Sequence, residues 1–190
     1  MCIKITLQEL NFSALVRYCR DFYHVLDANR DRLVPYFFWA GRQVTPDFMT
    51  TFAFVTLYIL DTKYKYMLYK VRNKEYDKPF IILNDNKVTG MIGLDKINPQ
   101  KNNAEVWYWV SSQDEGKGVA TNALKQVENY SINKLKLDSL YTCVVRTNEK
   151  SKAMMQRNEY HITDIKYGVP ISVRNPRLAD IVHYKKQLIR

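Results

Sequence analysis

Near Lys78 the hydrophobic period of the chain changes, and this change narrows the possible folds more than any other feature. Before it, apolar residues recur every three to four positions. Leu15, Cys19, Phe22 and Leu26 mark one face of a helix over residues 12–33, interrupted by Pro35, and Phe48, Phe52, Val55 and Ile59 mark a second that runs toward Tyr69. Thr45 and Pro46 read as its N-cap and first helical residue. After Lys78 that spacing gives way to short apolar runs bounded by turn residues. Residues 80–83, a turn at Asn84-Asp85-Asn86 and residues 88–97 read as a hairpin, and residues 104–110 follow Asn98-Pro99-Gln100 as a third strand. Connections this short make the three strands antiparallel, because a parallel crossover needs a dozen residues or more. Val119, Ala120, Ala123, Leu124, Val127 and Tyr130 then line one face of a helix. A strand over 139–147, a short helix near 152–157 and two strands, 162–173 and 178–188, complete the chain, which opens with a strand at Ile3, Ile5 and Leu7. The pattern predicts one α+β domain over residues 1–190, a mixed and mostly antiparallel sheet flanked by helices.

Composition removes several classes. With 46% apolar residues and 13% aromatic ones the chain has enough apolar surface to repay its ordering entropy, which argues against disorder. Cys2, Cys19 and Cys143 are odd in number and widely spaced, a poor basis for a disulfide framework or a zinc site, and they suit a reducing cytoplasm. No stretch approaches the roughly 20 apolar residues needed to span a bilayer, so a soluble protein with no membrane partner is expected. The net charge of +10 raises the local concentration of polyanions, whether nucleic acid, an acidic membrane or a phosphate-rich small molecule, or else serves solubility alone.

Two of only six glycines fall in one short stretch, Gln113-Asp114-Glu115-Gly116-Lys117-Gly118-Val119-Ala120, between a strand and a helix. Glycine lets backbone amides approach a phosphate closely, and a helix start supplies unpaired N–H groups and a positive dipole end. A plain tight turn would satisfy the same local pattern. The stretch is neither a dinucleotide fingerprint, since position 121 is Thr, nor a P-loop, since no Gly-Lys-Ser/Thr is present.

Gln113-x-x-Gly116-x-Gly118-Val119-Ala120-Thr121-x-Ala123 resembles the acetyl-CoA-binding signature of the GNAT superfamily of N-acetyltransferases, in the form used by its RimL/RimJ branch. The resemblance extends back through Ala104-Glu105-Val106-x-Tyr108-Trp109 and forward through Asn148-x-x-Ser151, Glu159-Tyr160, where the family usually has Gly-Phe, and Asp180-x-x-x-Tyr184. It implies a bacterial cytoplasmic enzyme that uses acetyl-CoA and no metal. It places the pyrophosphate on the amides of residues 116–121, including Lys117, and the pantetheine arm along the strand ending at Trp109-Val110, with an N–H of Trp109 or Val110 polarising the thioester. Asn148 and Ser151 would touch the same cofactor.

The same resemblance makes Glu105 a candidate base and Ser151 a candidate acid. Glu105 reads equally well as an exposed carboxylate paired with a lysine, and Asn148 with Ser151 as a helix cap. Many GNAT enzymes carry a tyrosine farther along the Ser151 helix, where this chain has Met155. Cys143 lies on the neighbouring strand with no histidine partner evident, so direct transfer is preferred to an acetyl-cysteine.

On the acceptor side, four consecutive aromatics, Tyr36 to Trp39, cannot all face one core. Within the branch this half is most similar to the acetyltransferases of microcin C self-immunity, which N-acetylate toxic aminoacyl-nucleotides. That similarity implies that Trp39 and Phe52 sandwich a nucleobase and that the acceptor is a small molecule and not nucleic acid, with Arg42 and Arg174 near its phosphate or carboxylate. A RimL-like acetylation of protein N-termini is the nearest alternative, and a basic nucleic-acid-binding module the more distant one.

Overall fold

The computed structural model describes residues 4–41, 44–45, 47–72, 75–172 and 175–189. Strand β1 (Ile5–Glu9) leads into α1 (Phe12–Asp27), whose Asn11 cap accepts a hydrogen bond from the Ala14 N–H at 2.9 Å. A short helix α2 (Arg30–Leu33) and a 3-10 turn (Phe38–Ala40) precede the long helix α3 (Phe48–Arg72). The strands β2 (Tyr76–Asn84), β3 (Lys87–Asn98) and β4 (Asn103–Val110) form the expected meander, with Asp85 and Asn86 both at positive φ in the first turn. Helix α4 (Val119–Tyr130), strand β5 (Ser139–Val145), helix α5 (Glu149–Arg157) and the hairpin of β6 (His161–Ser172) and β7 (Asn175–Gln187) follow.

All seven strands belong to one sheet in the order β1-β2-β3-β4-β5-β7-β6. Alternation divides its residues between two cores. On one face Phe80, Ile82, Ile92, Leu94, Val106 and Val110 pack with Val119, Leu124 and Val127 of α4. On the other, Ile81, Leu83, Met91 and Trp109 pack with Leu15, Phe22 and Leu26 of α1 and Val55 and Ile59 of α3.

Two helix boundaries differ from the sequence expectation. The helix expected over 12–33 breaks at Asn29, because that side chain turns to the segment after β4. Its Oδ1 accepts from the Ser112 N–H at 2.8 Å while its Nδ2 donates to Val25 O at 2.7 Å. Thr45 does not cap α3. It is buried, donating to Trp39 O and accepting from the buried Arg30 at 2.8 Å. Asp47 caps instead, its carboxylate accepting from the Thr50 N–H at 2.8 Å, a bond that holds the group below the usual aspartate range. Pro46 lies outside the described residues. Glu159 adopts φ 65, so the turn where the family has glycine keeps its left-handed shape with a glutamate.

Candidate active site

Every neighbouring pair of strands is antiparallel except β4 and β5, and that parallel pairing is short. It joins Asn103 to Ser139, Ala104 to Leu140 and Glu105 to Tyr141, then stops, although β4 continues to Val110 and β5 to Val145. The sheet therefore opens into a gap between the C-terminal halves of its two central strands. The Ser111 N–H donates to Thr89 O at 2.7 Å, and the register from Gly90 with Val110 to Asp95 with Glu105 is continuous. Bonded pairs alternate in such a ladder, so the backbone groups of Trp107 and Trp109 point at β3 and those of Tyr108 and Val110 point into the gap. Of the two amides expected to face a thioester, only that of Val110 is so directed.

Past the gap the chain makes the glycine-bearing turn. Gly116 and Gly118 have φ of 73° and 79°, a conformation side chains disfavour, and both are exposed, as are Gln113 and Lys117. Val119 is buried, anchoring α4, with Ala120 and Thr121 half-buried behind it. Gly118 offers no side-chain cap, so the N–H groups of Val119, Ala120 and Thr121 are left for an outside acceptor. The turn is tied down from below. The Asp114 carboxylate accepts from Thr89 Oγ1, and Glu115 bridges Arg32 at 2.7 Å to Lys150 of α5 at 2.5 Å. Arg32 also donates to Val110 O at 2.6 Å and Asn29 Oδ1 at 3.0 Å, fixing the mouth of the gap.

On the α5 side, Asn148 Oδ1 accepts from the Ser151 N–H at 3.2 Å and caps the helix. The Ser151 hydroxyl lies 2.9 Å from the hydroxyl of Tyr108, which reaches across from β4. Burial pushes the Tyr108 phenol up, partly offset by Ser151. Met155 is fully buried. Tyr108 thus brings a phenol from β4 to Ser151 on α5, a pairing with no local signal in the sequence.

The opposite face of the gap carries Glu105, whose carboxylate pairs with Lys96 Nζ at 2.6 Å. Cys143 does have a histidine beside it, correcting the expectation of none: its Sγ lies 3.3 Å from His183 Nδ1 on β7. Burial, followed by the charge of Glu105, pushes the thiol up to about 11, which makes it a poor nucleophile near neutrality. Asp95, across from Glu105, accepts from Trp107 Nε1 at 2.8 Å, and burial with the nearby Asp77 raises it to about 7.

Trp39 is half-buried, nearly parallel to Phe54 at 6.3 Å and against Phe37 and Trp109. The ring of Phe52 lies instead against Phe48 at 6.3 Å. Arg42 and Arg174 lie outside the described residues. A cleft of about 400 Å³ is lined by Pro35 and Tyr36 on one side and by Arg146, Arg177, Leu178 and Asp180 on the other. Val145 and Thr147 also line it, so it abuts the end of β5 just before Asn148. Among the described residues no group of three or more His, Cys, Asp or Glu could hold a metal, and no helix is long and apolar enough to cross a membrane.

A splayed parallel pair followed by a glycine turn and an uncapped helix is an arrangement that known families can be compared with directly. Residues 26–161 match the family described as an acetyltransferase (GNAT) domain. The chain belongs to the GNAT acetyltransferases. It is 34% identical over 76 residues to YdaF of Bacillus subtilis, described as a putative ribosomal N-acetyltransferase; the match spans 40% of this chain and 42% of that protein. Two solved structures share the fold. The microcin self immunity acetyltransferase MccE, in complex with acetyl-CoA and AMP, is 18% identical with a TM-score of 0.75, over 97% of this chain and 92% of that one. RimL, a ribosomal-protein alpha-N acetyltransferase in complex with coenzyme A, is 17% identical with a TM-score of 0.76, over 97% and 94%.

As a member of this family the chain carries an acetyltransferase domain, and its own residues fit acetyl-CoA. The exposed left-handed glycines and the uncapped start of α4 suit a pyrophosphate. The unpaired inner edges of β4 and β5 leave backbone donors and acceptors for an extended amide-bearing arm.

Proposed function

We propose that this enzyme acetylates the α-amino group of an aminoacyl-nucleotide. The observation that carries the reading is the cleft at the end of β5, where Tyr36 offers a flat apolar wall and Arg146 and Arg177 offer guanidinium groups suited to a phosphate. The likeness to MccE supports it, since that enzyme was solved with AMP. Trp39 is the aromatic platform for the base in this reading, with Phe52 on the same side of α3 as Phe48.

Acetyl-CoA supplies a thioester-activated acetyl group. The Val110 N–H donates to the developing oxyanion, a position where one fixed donor is worth several kcal/mol, roughly 3. An α-amine has a pKa near 8, so modest help suffices, and Glu105 on the acceptor face accepts its proton. Ser151, oriented by Tyr108, donates to the departing sulfur on the other face of the gap.

The test is thiol release from acetyl-CoA with three acceptors: an aminoacyl sulfamoyl adenosine, a peptide with a free N-terminus, and spermidine. Turnover is expected with the first, and Arg146→Ala with Arg177→Ala should raise KM for it by about tenfold or more while leaving coenzyme A affinity unchanged. Absence of turnover across a range of aminoacyl groups refutes the assignment. Acetylation of a protein N-terminus is the second reading. It is favoured by Leu178, 65% exposed where a peptide side chain would lie, and by the likeness to YdaF, and peptide turnover alone would establish it.

A further inference from the structure

Helix α3 is apolar on two sides. Val55 and Ile59 turn inward with the buried Thr51 and Thr62. Met49, Leu57, Leu60, Tyr64 and Met67 keep between 48% and 70% of their surface exposed. Together with exposed Ala53 they follow one another at steps of four, four, three, four and three residues along the helix. At about 100° per residue the six fall within an arc of roughly 80°, centred opposite the buried face. Steps of three and four are those of a coiled-coil seam. The stripe is about 27 Å long at the helical rise.

Among the described residues nothing covers it. Its borders carry both signs. Asp61 pairs with Lys65 at 2.9 Å, and Lys63 sits 4.6 Å over the Phe12 ring, so there is no row of cations to draw the stripe to an anionic surface. We propose that α3 is a self-association seam, on which a second copy of the chain packs its own α3 across a two-fold axis.

An isologous contact sets one patch against itself, so a uniformly apolar stripe is complementary without any matched partner. Its five large side chains expose roughly 600 Å² per copy, taking about 200 Å² for each in full. Complete coverage of both stripes would bury about 1,200 Å², the lower end of the range for stable interfaces. The seam lies on the side of α3 turned away from the sheet, and therefore away from the gap between β4 and β5.

Sedimentation of the full chain across a concentration series tests the seam. A dimer is expected by about 100 µM, with a micromolar dissociation constant. The pair Leu57→Glu and Leu60→Glu should weaken it at least about a hundredfold by placing like charges across the seam, with circular dichroism and acetyl transfer unchanged. The milder pair Leu57→Gln and Leu60→Gln, which keeps helix propensity, should weaken it in the same direction and serves if the charged pair disturbs folding. Ile162→Glu, on exposed β6, should leave it unaffected. A monomer throughout the series overturns the proposal, as does a dimer that survives both seam pairs, a dimer lost with Ile162→Glu, or a monomer that binds anionic vesicles through the stripe.

Discussion

Asp95 gives the sharpest quantitative test of the electrostatics on the sheet face that carries Glu105. Its carboxyl sits on β3 opposite Glu105, accepts from Trp107 Nε1 at 2.8 Å, and is raised to about 7 from the ordinary 3.8, first by burial and then by Asp77. A carboxyl whose folded pKa is raised opposes folding once it ionises. Below about pH 4 it is protonated in both states and has no effect. Between pH 4 and 7 the unfolded chain gives up the proton and the folded one keeps it, so stability falls as pH rises, and above about 7 the loss levels off. With these two values the loss is about 1.5 kcal/mol at pH 5 and about 4 kcal/mol at pH 8.

Asp95→Asn removes the ionisation and keeps an oxygen to accept from Trp107. Its effect on stability should therefore be more favourable at pH 8 than at pH 5 by about 2.5 kcal/mol, whatever constant amount the substitution adds at both. Urea melts of the parent and the variant at the two pH values measure this, because the pH-independent part cancels in the difference. Equal effects at the two pH values, or a larger gain at pH 5, would refute the reasoning. Asp77 makes a natural contrast, since its carboxylate pairs with Lys65 at 2.6 Å, and Asp77→Asn should lose stability at pH 8.

Two further outcomes bear on the acetyl-CoA side. Gly118→Ala places a β-carbon 3.7 Å from Asn122 Nδ2, which is ordinary contact, so the left-handed φ of 79° sets the cost. Strain of about 1–2 kcal/mol is relieved in the free protein by a turn that leaves this conformation, and restoring it on binding should lower coenzyme A affinity about tenfold by calorimetry; an unchanged affinity would refute a role for the left-handed turn in binding. Ser151→Ala and Tyr108→Phe should each lower kcat by about tenfold or more, with the double variant little worse than Ser151→Ala alone, because the phenol acts through the serine. Independent, multiplying losses would separate the two hydroxyls.

The parts of this molecule that were legible in its sequence are those whose cause lies within a few residues. Short apolar runs at 80–83, 88–97 and 104–110 between turn residues placed the meander, and Gly116 with Gly118 located the turn before α4, because each needs only its neighbours to be stated. The helix break at Asn29 was not visible, since its decisive partner is Ser112, 83 residues away. The same holds for Cys143 with His183 and Tyr108 with Ser151, 40 and 43 residues apart. These pairs form only once α4 has carried the chain across to β5 and the hairpin has added β7 to its far side.

Parity along β4 shows how the two levels combine. The sequence already separates Glu105, Trp107 and Trp109 from Val106, Tyr108 and Val110, but it cannot say what each set faces. The fold supplies that. The odd set turns its side chains to α1 and α3 and its backbone to β3, while the even set turns its side chains toward α4 and α5 and its backbone toward β5, which at Tyr108 and Val110 means into the gap. One strand thereby carries the Glu105 carboxylate on one face, a hydroxyl partner for Ser151 on the other, and between them, at Val110, an amide aimed into the gap. A one-residue slip of β4 would exchange all three, which is why the continuous register with β3 from residue 90 to residue 95 is as much a part of the site as the glycines.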